Sequence, residues 1–285
     1  MAISATRVAA RRISNTIFTI GCVGLTGVAL FFLAAILWSL ISQGIGGVNL
    51  AVFIQDTPTA GSTGGGLRNA IVGSVLMGAE AMIIAISIGV FAGTWLSEYA
   101  GQSRYGAIIR FLNDVLLSAP SILIGLFVWE VFVHHVVGHF SGFAGGVALA
   151  LLASPVITRT TEDVLRLQPT SLRESGVALG TPVWTVTRSI LWRAAGSGML
   201  TGILLAFARI SGETAPLLFT ALGNLNFSTD MLQPMANLPK VIFDFALSAD
   251  DNWRRLAWVG SLLIAATVLA VTIIARAFSK EPSRS

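Results

Sequence analysis

The sequence predicts an all-α integral membrane protein with six membrane-spanning helices. Three observations lead to this fold class: an apolar composition, six long apolar segments and an uneven distribution of basic residues. Of the 285 residues, 54% are hydrophobic and 11% are charged, with a mean hydropathy of +0.78. Soluble domains carry roughly 25% charged residues, so the composition excludes a soluble enzyme. Disorder requires the opposite composition, and the single Cys22 excludes a disulfide framework.

Six segments are apolar enough to cross a bilayer, which requires about 20 apolar residues per helix. In chain order they are residues 17–41, 69–96, 114–137, 140–157, 194–222 and 256–275. The first is longer than the apolar core of a secretory signal and continues through Trp38, so we expect a retained helix. Small residues four apart predict close helix packing at Gly89/Gly93, Gly142/Gly146 and Gly198/Gly202. We treat residues 1–285 as one transmembrane domain.

Basic residues predict the orientation, because cytoplasmic loops of membrane proteins are enriched in Lys and Arg. With the N-terminus inside, the predicted cytoplasmic segments hold 13 of the 18 basic residues. These are Arg7, Arg11, Arg12, Arg104, Arg110, Arg159, Arg166, Arg173, Arg188, Arg193, Arg276, Lys280 and Arg284. Both termini are then cytoplasmic, which requires an even number of spans.

The two lysines bear on ATP binding. Neither Lys240 nor Lys280 follows a glycine-rich turn, as the lysine of a P-loop does. The chain therefore has no Walker A loop, and a partner subunit would have to bind any ATP.

The segment between spans four and five, residues 159–193, is amphipathic rather than linker-like. Its apolar residues alternate with Arg, Glu and Asp, and Gly180-Thr181-Pro182 interrupts it in the middle. Proline is favoured at the start of a helix. We predict a helix, a tight turn and a second helix on the cytoplasmic face; an ordinary interfacial helix pair is the alternative.

This segment resembles the EAA loop of ABC importer permeases, whose pattern is EAA-x3-G-x9-I-x-L-P. Glu174, Gly180 and Ile190 match the pattern, whereas Ser175-Gly176 replace the two Ala and Trp192-Arg193 replace Leu-Pro. The resemblance implies that the helix before the turn is a coupling helix that docks on an ATPase. The implied coupling residues are Glu174, Gly176, Leu179, Gly180, Thr181 and Pro182.

Three further segments are similar to the permease subunits of the bacterial Pst phosphate importer. They are residues 65–71 (GGLRNAI), 118–122 (SAPSI) and 206–220 (AFARISGETAPLLFT). The resemblance implies a type I ABC importer permease fold in the bacterial inner membrane, acting as a transport subunit for phosphate rather than as an enzyme. It implies four kinds of partner: a second, PstC-like permease subunit, two PstB-like ATPase subunits that bind ATP and magnesium, a PstS-like phosphate-binding protein and the lipid bilayer. It implies no cofactor in this chain and no nucleic acid.

Two charged residues within the fifth span predict a substrate pathway. Arg209 and Glu213 are four residues apart and would share one helix face. Pro216 cannot donate to the carbonyl of Gly212, so we expect a kink between Ser211 and Pro216 that exposes backbone polar groups. The predicted pathway residues in this span are Arg209, Ser211, Glu213 and Thr214. The alternative is a structural ion pair that holds this span to a neighbour.

Arg68 begins the second span and is a further pathway candidate, since a planar guanidinium can donate to two phosphate oxygens at once. Its alternative is an interfacial arginine whose stem snorkels. Glu80 and Glu130 lie within spans and have no assigned partner.

His135 and His139 have the spacing of a zinc pair, and His134 precedes them. No Glu follows His135 and no Cys is near, so we expect no metal site. Three different functions stay open at this point: a permease for sulfate, molybdate or another oxyanion, a secondary transporter, and a membrane metalloenzyme that uses the three histidines.

Overall fold

The computed structural model describes residues 5–279, in which helices are the regular structure. The helices are α1 (Ala5–Ile45), α2 (Leu50–Ile54), α3 (Arg68–Glu98), α4 (Arg104–Ser118), α5 (Ser121–Val128), α6 (Gly142–Arg166), α7 (Thr170–Ala178), α8 (Val183–Val186), α9 (Trp192–Ile210), α10 (Ala215–Thr220), α11 (Leu238–Ala246) and α12 (Asp251–Ser279). Two π-helical segments, Trp129–Val137 and Thr187–Leu191, continue α5 and α8. Polar side chains cap several starts; the Ser141 hydroxyl, for example, accepts from the Ala144 N–H at the start of α6.

Five helical segments are long and apolar enough to cross a membrane by themselves, and the pair α4–α5 is a sixth that is bent by 106°. The sequence predicts one continuous span over 114–137, so this bend is a correction. Its cause is Pro120, which disfavours helical backbone at the residue before it. Ala119 accordingly adopts extended backbone, with φ −65° and ψ 135°.

The centre of the fold is the pair α3 and α6, which pack closely through glycines. A Cβ at Gly93 would lie 2.5 Å from the Thr158 carbonyl oxygen, and one at Gly89 would lie 2.7 Å from the Ile157 Cβ. These contacts confirm the predicted close packing at Gly89 and Gly93. They also run in the same order along both helices, so α3 and α6 are parallel. The chain between them must therefore return across the bundle, and the bent α4–α5 segment makes this crossing.

The helix α9 packs antiparallel to α6. A Cβ at Gly198 would lie 2.6 Å from Val164, and one at Gly202 would lie 2.5 Å from Thr160. These contacts confirm the close packing predicted at Gly198/Gly202.

The last described helix, α12, starts on the opposite side from α9, since the site of a Cβ at Gly260 contacts Leu67, which precedes α3.

Two faces of the bundle follow from these directions. We call the end that carries α7 and α8 the α7 face, and the end that carries Arg68 and α11 the α11 face. The end of α1 packs on the start of α12 through Gly44 and Gly47, so both helices extend from there toward the α7 face. Lys280 and Arg284, two of the basic residues used to predict orientation, lie outside the described residues, as does the side chain of Arg7.

Candidate functional site

The predicted pathway segment is a break between two helices rather than a kink in one. The helix α9 ends at Ile210, Thr214 directly precedes α10, and Pro216 occupies the first turn of α10. Ile210 belongs to the same buried cluster as Leu152 near the middle of α6, so the break lies at mid-depth in the bundle. The predicted interruption is confirmed, and non-helical backbone at membrane depth requires burial in protein or contact with water.

Arg209 and Glu213 do not share a helix face, contrary to the prediction. Glu213 lies beyond the last turn of α9, and its N–H donates to the Ile210 carbonyl at 3.2 Å. Within residues 11–277, no ion pair joins the two side chains. The reason is that Pro216 starts a new helix, where the prediction assumed that it bends an existing one.

The cavity beside the break is apolar. Its volume is about 450 Å³, and its lining includes Met77, Leu149 and Phe207. Ser211 is the one predicted pathway residue in this lining, and its hydroxyl donates to the Phe207 carbonyl at 2.7 Å. Arg209 is exposed and lies outside the lining. The guanidinium therefore belongs to a surface that this chain leaves open, and not to an internal channel.

Arg68 is held by a carboxylate that the sequence reasoning missed. Its Nε and one terminal nitrogen donate to the two Asp56 oxygens at 3.0 Å each, and its guanidinium lies 4.5 Å from the centre of the Phe227 ring. The side chain is still 40% exposed. Asp56 is the one acidic residue between positions 42 and 67, so the sequence contained a signal for this pair. The edge of the Arg68 guanidinium formed by Nε and this terminal nitrogen is thus paired with Asp56, although an anion was the predicted partner.

The residue after Arg68 joins two loops on the α11 face. The buried Asn69 amide donates to the Thr57 hydroxyl and to the Asn224 and Leu225 carbonyls, at 2.9–3.0 Å. The loop before α3 and the loop after α10 are therefore fixed to each other at the start of α3.

The segment predicted as a helix, a turn and a helix has that structure. After α7, Gly180 adopts φ +73°, a backbone conformation that glycine adopts without strain. The Gly180 N–H donates to Val177, the Thr181 N–H donates to Gly176, and Pro182 precedes α8. The two short helices touch where the buried Gly176 meets α8, since a Cβ there would lie 2.6 Å from a Val186 methyl group.

An arginine anchors this loop to the bundle and leaves its tip exposed. Arg173 donates to both Glu98 oxygens at 2.8 Å and to the carbonyls of Leu165 and Gln168. Hydrogen bonding to Glu98 raises the pKa of Arg173. At the tip, Leu179 is 85% exposed, and Glu174 is also exposed. Val177 and Val183 on either side of the turn are also exposed, and an exposed apolar patch is typical of a docking surface.

Glu80 lies between the two central helices. Its carboxylate contacts the site of a Cβ at Gly146, and both oxygens are buried without a hydrogen-bond partner among the described residues. Gly146 is therefore needed to leave room for this carboxylate, which confirms close packing there.

Two of the three histidines, His134 and His135, have an acidic neighbour that the sequence reasoning overlooked. Glu130 Oε1 lies 3.5 Å from His134 Nδ1 and 3.7 Å from His135 Nδ1. The possible ligand atoms of Glu130, His134 and His135 lie within 4.8 Å of one another. Expecting the carboxylate only after His135 was wrong, because the π-helical segment brings residues five apart onto one face. All three side chains are exposed, and exposed groups of this kind do not by themselves define a metal centre.

With the fold and these sites in place, the class of protein is clear. Residues 85–283 match the family described as binding-protein-dependent transport system inner membrane component, and the chain belongs to this family. It is a multi-pass inner membrane subunit of a transporter.

Three phosphate transport permeases are similar to this chain over most of its length. The chain is 52% identical over 247 residues to the phosphate transport system permease protein PstA of Yersinia pestis, covering 87% of this chain and 83% of that protein. It is 51% identical over 255 residues to the PstA of Pasteurella multocida, covering 90% of each. The probable PstA of Methanocaldococcus jannaschii is 32% identical over 266 residues, with 92% of each covered.

A solved structure supports the fold independently. An inward-facing conformation of the MetNI methionine ABC transporter matches 75% of this chain and 96% of its own chain, with a TM-score of 0.60 at 18% identity. At this identity the match shows the fold alone, which is that of an ABC importer permease.

Proposed function

We propose that this chain is one membrane subunit of an ATP-driven importer of inorganic phosphate. The observation that carries the proposal is its identity of about half to proteins named phosphate transport permease PstA over nearly the whole chain. Permeases for sulfate or molybdate, and secondary transporters, are not favoured, since the relatives at this identity carry the phosphate name.

In this proposal the chain forms half of the translocation pathway. Arg209 is exposed beside a helix break at mid-depth, whereas the cavity inside the chain is apolar. A charged residue at the centre of a bilayer costs roughly 2.5–3.5 kcal/mol on insertion scales and faces a partner or water in most proteins. A second, PstC-like permease subunit would cover this surface, and the anion would pass between the two subunits. Ser211, Glu213 and Thr214 would lie along the same route.

The ATPase would dock on the α7 face. The apolar tip at Leu179 is available for a groove on a PstB-like subunit, which would bind ATP and magnesium. The α7 face also carries Arg159, Arg166 and Arg188, which supports a cytoplasmic location for this face and for both termini. The α11 face, with Arg68, would then meet a PstS-like binding protein.

Reconstituted transport tests the proposal. The chain is co-expressed with a second permease subunit and an ATPase, incorporated into liposomes, and supplied with a binding protein and radiolabelled phosphate. We expect phosphate uptake that requires ATP and persists with a tenfold excess of sulfate. The matched control is an ATPase without hydrolytic activity. ATP-dependent uptake of sulfate or molybdate without phosphate uptake would refute the assignment.

A further inference from the structure

A second cavity, distinct in chemistry from the apolar one, opens on the α11 face. Its volume is about 350 Å³, and it lies between the loop before α3, the loop after α10, the helix α11 and the start of α12. Its polar lining consists of Thr57, Asn224, Asn237, Lys240, Asp244 and Trp253. We call it the Asn237 pocket.

Two buried donors in this lining have no acceptor among the described residues. They are Asn237 Nδ2 and Trp253 Nε1, and Asn237 also belongs to the lining of the apolar cavity. Asn237 is fully buried, and its Oδ1 caps α11 by accepting from the Lys240 N–H at 2.9 Å. Since that oxygen must face a backbone N–H, the amide cannot be turned the other way, and its NH2 group has to be the free end. Trp253 is fixed by stacking on Phe245, with ring centres 4.3 Å apart.

Further donors face the same cavity. The Lys240 side chain is 21% exposed. The Thr57 oxygen already accepts from Asn69, which leaves its O–H able to donate. Gly223 lies beside the Lys240 ammonium, and the preceding Leu222 has φ +60°. A leucine in this left-handed region is strained, and such strain is concentrated at ligand-binding sites.

Most side-chain acceptors of the pocket already accept a hydrogen bond. Asp244 accepts from Lys240, Asn224 Oδ1 accepts from the Asn226 N–H, and Asn237 Oδ1 accepts from the backbone. A water molecule could satisfy one of the free donors and donate in turn to Asp244 Oδ1, so water is the alternative occupant that the experiment below must distinguish. A small oxyanion has a surface made of acceptors, so it can satisfy both buried donors and Lys240 at once.

We propose that the Asn237 pocket binds a small inorganic oxyanion through Asn237 Nδ2, Trp253 Nε1 and Lys240. Inorganic phosphate is the expected occupant, an identification that rests on the function proposed above. Asn69, next to Arg68, holds two walls of the pocket together, so the pocket lies beside Arg68, the predicted pathway residue of the second span. It would serve as a first subsite on the face opposite the ATPase loop, reached before the anion meets Arg209.

Direct binding measurements on the full-length chain in detergent test this inference. Phosphate is titrated calorimetrically into the wild-type chain and into Trp253→Phe, which keeps the stacked ring but removes the N–H. Losing one hydrogen bond to a charged ligand weakens binding about tenfold. Thermal unfolding should be unchanged or shifted upward, because the removed donor has no acceptor in the unliganded chain. Trp258→Phe is the matched control, since Trp258 lies on the same helix outside the lining, and it should bind phosphate as the wild type does.

A second variant tests charge at the site. Asn237→Asp keeps the oxygen that caps α11 and replaces the free donor with an anionic oxygen, so phosphate binding should be lost. Thermal unfolding of the variant shows whether the chain is still folded. Absence of wild-type phosphate binding at millimolar concentration, or unchanged binding in a folded Trp253→Phe chain, would overturn the proposal. Occupation by water only would give the first result.

The outcomes also separate this inference from the proposed function. One outcome is that the wild-type chain takes up phosphate in liposomes and the Trp253→Phe chain binds and transports phosphate equally well. In that case the pocket assignment is wrong and the transport assignment stands. If sulfate binds with the same dependence on Trp253, and sulfate alone is transported, the oxyanion site stands and phosphate as the substrate is wrong.

Discussion

Replacing Leu179 by Asp tests the ATPase docking surface without disturbing the fold. Leu179 follows α7 at the tip of the loop and is 85% exposed, so its side chain contributes little to packing within the chain. Surface substitutions of this kind change the free energy of unfolding by about 0.5 kcal/mol or less. Any large effect of Leu179→Asp must therefore arise in a complex.

The expected size of that effect follows from the exposed area. Fully burying a leucine side chain is worth roughly 1.5–3 kcal/mol. If the ATPase buries Leu179, Leu179→Asp loses this contribution and also buries a carboxylate. The affinity for the ATPase should fall at least tenfold and as much as several hundredfold, because each 1.4 kcal/mol is about a factor of ten. Uptake at limiting ATPase should fall by a similar factor.

The assay measures ATPase binding to the detergent-solubilised permease pair, followed by uptake in liposomes. Leu167→Asp is the matched control, because Leu167 is 80% exposed on the same face but lies outside Glu174–Pro182. It should bind and transport at the wild-type level. Gly180→Arg is a less clean test, since φ +73° strains any side chain there, and it needs Gly180→Ala beside it. Wild-type ATPase affinity in Leu179→Asp would refute the docking role.

Three further predictions concern the pathway and the core. Arg68→Lys loses the paired hydrogen bonds to Asp56, so uptake should fall partially, and more in Arg68→Ala; wild-type rates in both would make Arg68 an interface anchor. Arg209→Gln should abolish phosphate uptake in a complex that still assembles and hydrolyses ATP. The double variant Arg209→Gln with Glu213→Gln should not restore uptake, and near-normal uptake in this variant would contradict a transport role for Arg209. Gly93→Ala places a Cβ 2.5 Å from a carbonyl oxygen of α6 and should destabilise the chain by about 1–3 kcal/mol, measured by thermal unfolding against Gly196→Ala, which meets no atom within 4 Å.

The features that the sequence predicts well are those set by local composition. Five of the apolar segments form candidate spans by themselves and the bent α4–α5 pair is the sixth, because a bilayer leaves few alternatives to a helix. Gly89, Gly93, Gly146, Gly198 and Gly202 mark close contacts between helices, whereas Gly142 meets Met231 and Met235 of the loop after α10. The run Gly180-Thr181-Pro182 marks the turn between α7 and α8. Each of these depends on residues near one another in the chain, so no knowledge of the tertiary structure is needed.

The features that the sequence does not predict depend on geometry between distant or broken segments. Pro120 and Pro216 both lie within apolar runs, and a proline in such a run can bend a helix or separate two helices. The first gives a 106° bend and the second a new helix, and the second outcome removes the assumed Arg209–Glu213 face. Asp56 reaches Arg68 across a loop, so no helical periodicity could reveal the pair.

The exposure of Arg209 and the apolar character of the neighbouring cavity have one explanation. An internal pathway for an anion would place donors inside the bundle, but the cavity at the α9–α10 break is lined mainly by apolar side chains. The guanidinium instead lies on the open surface of the chain at mid-depth, where lipid would solvate it poorly. The same break in the backbone also ends the helix that would have placed Glu213 beside Arg209. A second permease subunit that covers this surface would supply both the missing polar environment and the other wall of the pathway. Under the proposed function, the chain therefore forms one side of a passage that the second subunit completes.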